Sequence, residues 1–407
     1  MPQPCRSLGL NDLREIASEC FQSSGPDRYG IEAEWPTHRR DEVTQRPGEE
    51  EIARWSAWEV PGGGRVTFEP GGQMELSTEP CRTIGEALKA LREGSAYIRE
   101  HLATEGYICA DLALDGRRRP VRVVTKSRYV AMEEFFDCTG PAGRWMMNNT
   151  ASTQVNISHD HDAPFRRWFT MNQIGPLLIA AFANSPGVDL DGQHWVSLRE
   201  AIWWATDPAR TRPVRIDLSP PAAWLDYALN ADVAFVCMDG SAGFHGRGLR
   251  PGLTFGEWAN RGHETGWPTA DDFRYHLSML FPPVRPRGWL ELRMLDALPE
   301  WIRAVACLVV AAAGTPEAGQ DLRAALPHTS HWWRVASRRG LHDGRVAQAT
   351  DALFAVVQRH LGTVTDDRRH HRLVADFVNR YVDRRSTPGE DHAVEVDLRE
   401  FAEVATH

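Results

Sequence analysis

The sequence lacks the signals of several common protein classes. Its 407 residues carry a formal net charge of −9 and no Lys/Arg-rich run, so no nucleic-acid surface is indicated. Seven scattered cysteines without a C-x-x-C pair favour reduced thiols over a disulfide framework or a zinc site. The N-terminus shows no signal pattern, and the longest apolar run, residues 305–313, is too short for a membrane span. We therefore expect a soluble, cytoplasmic protein without a nucleic-acid or membrane partner.

Composition and glycine spacing narrow the possibilities further. Apolar residues make up 42% and charged residues 25% of the chain, values typical of a globular protein, and a length of 407 residues fits one large domain or two of ordinary size. No glycine spacing matches a P-loop or a dinucleotide fingerprint. The glycine-rich segment 240–252 has the composition of a lid-like loop, and the chain is mainly helical in pattern from about residue 298.

The stretch from residue 66 to residue 77 carries the first functional signal. Pro70-Gly71-Gly72 is tight-turn chemistry between two short runs, which predicts a β-hairpin or a sharply bent strand. In the second run Glu75 lies on one face, and Met74 and Leu76 lie on the other. Taken alone, this pattern is typical of a solvated sheet face.

Three further segments repeat the pattern of one apolar and one polar face. They lie at residues 28–36, 153–158 and 289–296. Their polar positions are Glu32, Glu34, Gln154, Asn156, Glu291 and Arg293. If the four strands share a sheet, several carboxylates converge, and adjacent carboxylates either take up protons or attract cations. Carboxylate and amide oxygens suit Mg²⁺ or Mn²⁺, so the pattern predicts a metal–nucleotide site, although spacing alone does not make the strands neighbours.

Amphipathic helices are predicted to cover the apolar face of that sheet. Thr83 and Glu86 have capping-box spacing at the start of one helix, and Pro164 stands in the predicted first turn of another. The run 159–162, His-Asp-His-Asp, resembles a metal site, but acids at a helix N-terminus need no ion. We therefore predict an α+β fold: an antiparallel β-sheet with one open functional face and helices packed on the other.

Two arginines flank a pair of tryptophans in residues 199–211. Arginine forks suit carboxylates and phosphates, and aromatic walls suit a small ligand. Arg199 and Arg210 are therefore candidate ligand contacts, while an ordinary helix end with a surface ion pair remains an equal alternative.

These segments together resemble the glutamate–cysteine ligases of the plant and bacterial type, within the glutamine-synthetase-like carboxylate–amine ligases. The matching stretches are residues 30–34, 68–77, 153–156, 183–186, 199–211, 276–285 and 290–293. They run in the family's order, and residues 202–208 resemble most the actinobacterial members that open ergothioneine synthesis.

The resemblance implies a single catalytic domain over residues 1–407 with a glutamine-synthetase-like fold. It implies ATP- and Mg²⁺-dependent ligation of the γ-carboxylate of L-glutamate to the amine of L-cysteine through a γ-glutamyl phosphate. The products would be γ-glutamylcysteine, ADP and phosphate, and no obligate protein partner is indicated. Two alternatives stay open: a related ligase with a different amine or acid substrate, and a non-catalytic relative that senses a nucleotide or metal.

The same resemblance assigns candidate roles residue by residue. The implied metal ligands are Glu32, Glu34, Glu69, Glu75 and Glu291, with Gln154 or Asn156 joining them. The implied catalytic residues are Arg293, beside the phosphoryl group, and Glu75. Glutamate would be held by Arg199, Arg210 or Arg128, and ATP would contact Glu34, Asn156 and Arg293.

Overall fold

The computed structural model describes residues 8–22, 25–237 and 246–404. Its strands are β1 (Tyr29–Trp35), β2 (Thr37–Arg39), β3 (Arg65–Phe68), β4 (Met74–Ser77), β5 (Tyr107–Cys109), β6 (Ser152–Ser158), β7 (Gly187–Val188), β8 (His194–Trp195), β9 (Phe235–Cys237), β10 (Gly246–Gly248), β11 (Val284–Pro286), β12 (Trp289–Asp296) and β13 (Val396–Asp397). Much of the predicted lid-like loop, residues 240–245, lies outside the described residues.

Helices occupy most of the remaining described chain. They are α1 (Leu10–Glu19), α2 (Glu49–Trp55), α3 (Ile84–Thr104), α4 (Ser127–Asp137), α5 (Ala142–Asn149), α6 (Arg166–Phe182), α7 (Leu198–Thr206), α8 (Pro208–Thr211), α9 (Pro220–Asn230), α10 (Phe255–Arg261), α11 (Ala270–Ser278), α12 (Glu300–Ala313), α13 (Pro316–Ala325), α14 (Trp333–Arg339), α15 (Gly344–His360), α16 (Arg368–Phe377) and α17 (Pro388–His392). Short 3-10 helices lie at Gly340–His342, Leu361–Thr363 and Leu398–Val404, and a π-helix at Val378–Val382.

A six-stranded antiparallel sheet is the centre of the fold. Its order is β11-β12-β6-β1-β4-β3, so the four predicted strand segments are direct neighbours. The register sets Glu34 opposite Glu75 and Glu32 opposite Gln154. It also sets Asn156 opposite Glu291. The predicted α+β architecture is therefore confirmed, and the polar positions of separate strands share one face.

The apolar face of the sheet is covered by α3, α6 and α12. Ile31, Ala33, Val155 and Leu290 on this face are essentially buried, as period-two strands packed on amphipathic helices require. The predicted capping box is confirmed, because Thr83 Oγ1 accepts a hydrogen bond from the Glu86 amide at 3.1 Å. The helix predicted to begin near Pro164 begins at Arg166.

The β3–β4 hairpin makes the predicted Pro-Gly-Gly turn. Gly72 has a φ of +83°, a conformation that glycine adopts without strain. Gly71 lies so close to α5 that a Cβ there would be 2.1 Å from the Asn148 carbonyl oxygen. Arg46 Nη1 donates hydrogen bonds to the carbonyl oxygens of Gly71, at 2.6 Å, and Asn148, at 2.9 Å. The turn is therefore anchored to α5 by close backbone contact and a shared guanidinium.

One predicted strand is largely wrong. The run 227–238 alternates apolar residues and predicts a buried strand, but Tyr227 belongs to α9, and among the described residues of this run Phe235–Cys237 alone form a strand. Helix α9 begins with Pro220 in its first turn and buries Ala223, Trp224 and Ala228. The apolar residues at the start of the run therefore belong to the buried face of a helix, and the short apolar alternation alone did not reveal this.

No described helix alone is long and apolar enough to cross a membrane. Together α12 and α13 meet that length and composition, but they are bent by 90° at their junction, and α12 is largely buried in the core.

Candidate active site

The polar face of the six-stranded sheet opens onto a cleft of about 790 Å³. Acids from β1, β4 and the β3–β4 turn form its floor, and Glu291 and Arg293 of β12 extend it. Helix α4 contributes Arg128 and Tyr129 to the wall, and α7 contributes Arg199 and Trp203. The cleft therefore gathers chain segments that are far apart in sequence.

Three carboxylates meet at the floor of this cleft. Single oxygens of Glu34, Glu69 and Glu75 all lie within 4.8 Å of one another. Glu34 is oriented by the Ser152 amide at 2.7 Å and by Gln154 Nε2 at 2.8 Å. Glu75 accepts a hydrogen bond from Thr67 Oγ1 at 2.6 Å. We call Glu34, Glu69 and Glu75 the acid triad.

Burial and neighbouring carboxylates raise the pKa values of Glu69 and Glu75 in the triad and of Glu32 beside it. Burial, followed by the charge of Glu34, raises the pKa of Glu69 to about 7. Burial, followed by the charge of Glu32, raises the pKa of Glu75 well above its usual value. The pKa of Glu32 rises to about 6 through burial and the charge of Glu291. The positive charges near the triad therefore do not balance its carboxylates.

This donor set fits the divalent cation that the family resemblance implies. The ligand atoms are all carboxylate oxygens, which Mg²⁺ and Mn²⁺ prefer, and their mutual distances allow one ion to contact all three. A bound divalent cation would also relieve the repulsion that raises the pKa values of Glu69 and Glu75.

Glu291 lies in a different environment from the acid triad. It accepts hydrogen bonds from Arg285 at 2.5 Å and 2.9 Å, from Arg287 at 3.0 Å and from Arg293 at 3.2 Å. Although burial opposes ionisation, Arg285 and then Arg293 hold the pKa of Glu291 well below its usual range. Glu291, a predicted metal ligand, therefore binds and orients the guanidinium groups of three arginines in this structure.

Arg293 joins the two halves of the site. Its Nη1 donates to Gln154 Oε1 at 2.8 Å, and Gln154 in turn donates to Glu34 of the acid triad. The guanidinium lies 5.6 Å from the ring centroids of both Trp203 and Phe281. Its Nε is buried and has no hydrogen-bond partner among the described residues.

The two predicted amide ligands have partners at both ends. Gln154 bridges Glu34 and Arg293 as described above. Asn156 Nδ2 donates to Glu32 at 2.9 Å, and its Oδ1 accepts from Trp289 Nε1 at 2.9 Å. Asn156 does not line the cleft. Both amides therefore orient carboxylates in this structure.

The three arginines predicted to hold glutamate separate into two groups. Arg128 and Arg199 line the cleft. Arg128 Nη2 donates to the Ser278 carbonyl at 3.0 Å, and Arg199 Nη1 donates to Glu200 at 2.8 Å. Arg210 does not line it and is fully buried. Its nitrogens donate to Asp207 and to the carbonyl oxygens of Met279 and Asp232, at 3.1 Å, 2.7 Å and 2.6 Å, so it holds backbone segments together.

Several cleft residues escaped the sequence prediction. Arg285 and Arg287 bind Glu291, and Lys126 and Arg65 line the cleft. Tyr129 also lines it, and the charge of Glu69, followed by burial, raises the pKa of its hydroxyl far above the usual value. Arg285 pairs in register with Glu291 across the β11–β12 hairpin. Its position on the same face was therefore a readable signal once that hairpin was recognised.

Comparison with known proteins gives a consistent result. Residues 28–387 match glutamate–cysteine ligase family 2 (GCS2). The chain is 33% identical over 405 residues to the glutamate–cysteine ligase EgtA of Mycobacterium tuberculosis, covering 96% of this chain and 91% of that protein. It is 33% identical over 412 residues to the EgtA of Mycolicibacterium smegmatis, covering 98% and 92%.

Two solved structures share the fold at low identity. The glutamate–cysteine ligase of Francisella tularensis, solved in complex with AMP, has a TM-score of 0.53 at 14% identity, covering 94% of this chain and 86% of that one. A bifunctional glutathione synthetase from Pasteurella multocida has a TM-score of 0.54 at 12% identity, covering 95% of this chain and 52% of that one. By its sequence match over residues 28–387, the chain belongs to glutamate–cysteine ligase family 2.

Proposed function

We propose that this ligase joins the γ-carboxylate of L-glutamate to the amine of L-cysteine and converts ATP to ADP and phosphate. The product is γ-glutamylcysteine, which feeds ergothioneine biosynthesis. The observation that carries the proposal is the acid triad and Arg293, linked through Gln154 in one cleft. The likeness to the mycobacterial EgtA proteins supports the choice of pathway.

The acid triad would hold a Mg²⁺ or Mn²⁺ ion. When bound, the ion would neutralise charge on the phosphates of ATP. Gln154 and Ser152 keep Glu34 in place through three hydrogen bonds. Asn156 fixes Glu32 beside the triad. In this assignment Glu291 holds Arg285, Arg287 and Arg293 in position.

The first chemical step transfers a phosphoryl group. An oxygen of the glutamate γ-carboxylate bonds to the γ-phosphorus of ATP as the bond to the β-phosphate oxygen breaks, and ADP leaves. Arg293 is the proposed group that stabilises charge on the transferring phosphoryl, because its guanidinium lines the cleft and is linked to Glu34 of the triad through Gln154. Trp203 and Phe281 stack against it and exclude water from that side.

The second step forms the amide. The amine nitrogen of cysteine bonds to the acyl carbon of γ-glutamyl phosphate, the carbon–oxygen bond to phosphate breaks, and the amine loses a proton. Arg128 and Arg199 are the proposed contacts for the carboxylates of glutamate, since both line the cleft. Arg210 is not among the proposed contacts, because it is buried and does not line the cleft. We further propose that residues 1–407 act as one catalytic domain.

An amino-acid panel tests the proposed substrates. Phosphate release from ATP is measured with each amino acid alone and in pairs, and the products are identified by mass spectrometry. Turnover that requires both glutamate and cysteine is expected. Turnover that is indifferent to cysteine would instead favour a related carboxylate–amine ligase that uses another amine.

A further inference from the structure

One indole ring in the cleft contacts two guanidinium groups that come from different elements. The Arg199 guanidinium lies 5.6 Å from the ring centroid of Trp203, and the Arg293 guanidinium lies at the same distance. Trp203 follows Arg199 by four residues on α7, so the two side chains share one face of the helix. Arg293 belongs instead to β12. Two cation–π contacts of Trp203 therefore connect a helix and a strand in the active site.

The Trp203 ring is held by packing. Its Nε1 is buried and has no hydrogen-bond partner among the described residues. The ring meets Phe281 edge-on, with 5.9 Å between the ring centroids and 76° between the ring planes. A cavity of about 10 Å³ lies among the two rings, Arg199 and Arg293, and this volume is no larger than one water molecule needs. A change in the size or chemistry of the Trp203 ring is therefore felt by both arginines.

The two guanidinium groups are paired with separate acids. Arg199 Nη1 lies 2.8 Å from Glu200 and 3.8 Å from Asp296, whereas Arg293 Nη1 lies 3.2 Å from Glu291. Arg199 Nη2 also donates to the backbone carbonyl of Arg293 at 2.9 Å. Two like charges are thus kept close together, and one aromatic ring contacts both. An aliphatic side chain in place of the ring would lose the attraction to each of them.

We propose that Trp203 is a positioning residue that sets the placement of Arg199 and Arg293 relative to each other. This inference rests on the proposed function, in which Arg199 contacts a carboxylate of glutamate and Arg293 stabilises the transferring phosphoryl group. The indole takes no part in a chemical step. It keeps the amino-acid contact and the phosphoryl contact at a fixed separation, so that the two reacting groups are presented to each other in a productive orientation.

The neighbouring Trp204 provides a matched control. It is the next residue of α7 and is also half-buried. Its ring lies 5.8 Å from the Arg212 guanidinium, and Trp204 does not line the cleft. The same substitution at the two positions therefore compares a tryptophan that contacts the active-site arginines with one that does not.

Kinetics of Trp203→Met test the proposal, because methionine keeps apolar volume but has no aromatic face. We expect kcat to fall about tenfold or more and the KM for glutamate to rise about fivefold, while the Kd for Mg-ATP changes little. Trp203→Phe, which retains a ring, should lose only about twofold to threefold in kcat. Trp204→Met should change none of these quantities. Steady-state kinetics and calorimetric titration measure them.

A double-mutant cycle separates positioning from a general structural loss. Because Trp203 acts through Arg293, Trp203→Met should lower kcat by less than about twofold when Arg293→Lys is already present. Additive losses of kcat, or equal losses in Trp203→Met and Trp204→Met, would overturn the proposal. Should Trp203→Met fail to fold, the cycle is run with Trp203→Phe, whose smaller loss must likewise disappear in the Arg293→Lys background.

The amino-acid panel on the wild-type enzyme tests the proposed function independently of this cycle. If the panel identifies other substrates, the cycle is run with those, since it measures the dependence of Trp203 on Arg293. A panel without glutamate and cysteine dependence, together with a non-additive cycle, would revise the substrates alone. A panel as expected, together with an additive cycle, would overturn the role of Trp203 alone.

Discussion

At the scale of single residues, the cleft separates carboxylates by their partners. Glu34 and Glu75 receive hydrogen bonds from neutral groups and face another carboxylate, Glu69. Glu291 is instead surrounded by three arginines. The first group is therefore the proposed cation site, while Glu291 is paired with cationic side chains of the protein itself.

Replacing Arg293 tests the role assigned to its guanidinium. Arg293→Lys retains the charge but loses the planar contact with Gln154 and the stacking on Trp203. We expect kcat to fall about 100-fold or more, with a much smaller change in the Kd for ATP. Steady-state kinetics and calorimetric titration measure the two quantities. Arg287→Lys is the matched control, because Arg287 pairs with the same Glu291 but is 43% exposed; equal losses in kcat and ATP affinity would assign Arg293 to ground-state binding.

Replacing Glu75 tests the acid triad. Glu75→Gln removes one of three negative charges from the proposed metal site. We expect at least about a tenfold rise in the Mg²⁺ concentration needed for half-maximal turnover, since a charged ligand becomes neutral. Glu79→Gln, an exposed glutamate just after the same strand, is the control. Unaltered turnover and Mg²⁺ dependence in Glu75→Gln would refute the metal assignment and favour a relative that does not use this site.

At the scale of elements, the β3–β4 hairpin sets the relative positions of Glu69 and Glu75. Its turn is held by the Pro70 carbonyl, which accepts from the Val123 and Val124 amides at 2.7 Å and 3.0 Å. Arg46 adds the link to α5. Because Glu69 lies in the turn and Glu75 in β4, movement of the turn changes the geometry of the triad.

Substituting Gly71 tests that dependence. Gly71→Ala places a Cβ 2.1 Å from the Asn148 carbonyl oxygen, so the turn must shift. We expect a loss of about 1–3 kcal/mol in the free energy of unfolding, together with a rise in the Mg²⁺ concentration needed for half-maximal turnover. Chemical denaturation and Mg²⁺ titration of activity measure the two effects. Gly362→Ala, where a Cβ meets nothing within 4 Å, is the control, and an unchanged Gly71→Ala enzyme would show that the turn can adjust freely.

At the scale of the whole molecule, the active site connects distant parts of the chain. Glu32 and Glu34 of β1 meet Gln154 of β6, Arg199 of α7 and Glu291 of β12 in one cleft. A ligand that contacts these segments binds the folded chain and not the unfolded one. Ligand binding and global stability are therefore linked.

Mg-ATP should accordingly raise the melting temperature. At a concentration 100 times its Kd, a ligand adds about 2.7 kcal/mol to the free energy of unfolding. Differential scanning calorimetry with and without Mg-ATP measures the shift, and EDTA should remove most of it. Glu75→Gln should show a smaller shift than Glu79→Gln, and equal shifts in both would argue against metal binding by the acid triad.

Acid unfolding offers an independent test of a buried histidine. His276 donates from Nε2 to the Ala228 carbonyl at 2.9 Å, and burial, then the charge of Arg210, lowers its pKa to about 3. The unfolded chain takes up a proton here below about pH 6.5, whereas the folded chain resists until about pH 3. The stabilisation is therefore complete above pH 6.5 and is lost as the pH falls from 6.5 to 3.

His276→Gln keeps a donor for Ala228 but has no titrating ring. Its free energy of unfolding should decline less steeply between pH 6 and pH 4, by about 1.4 kcal/mol per pH unit. Urea unfolding at a series of pH values measures the slope, with His161→Gln at an exposed position as the control. Equal slopes in the wild type and His276→Gln would show that His276 already takes up its proton in the folded state.

The sequence by itself determined which side of each strand is polar. Period-two alternation predicted the faces of Glu32, Glu34, Glu75 and Glu291, and local chemistry predicted the hairpin turn and the Thr83 cap. These features depend on residues a few positions apart, so a local pattern is sufficient to predict them.

Only the tertiary structure decided which polar residues meet. The strand order brings Glu34 next to Ser152 and Gln154, more than one hundred residues away. It also turns Arg210 into the core, although its spacing from Arg199 on the chain suggested a shared ligand. Alternation specifies the face of a strand but not its neighbours. The neighbours set the local charge balance, which separates a candidate metal ligand from a carboxylate paired with arginine.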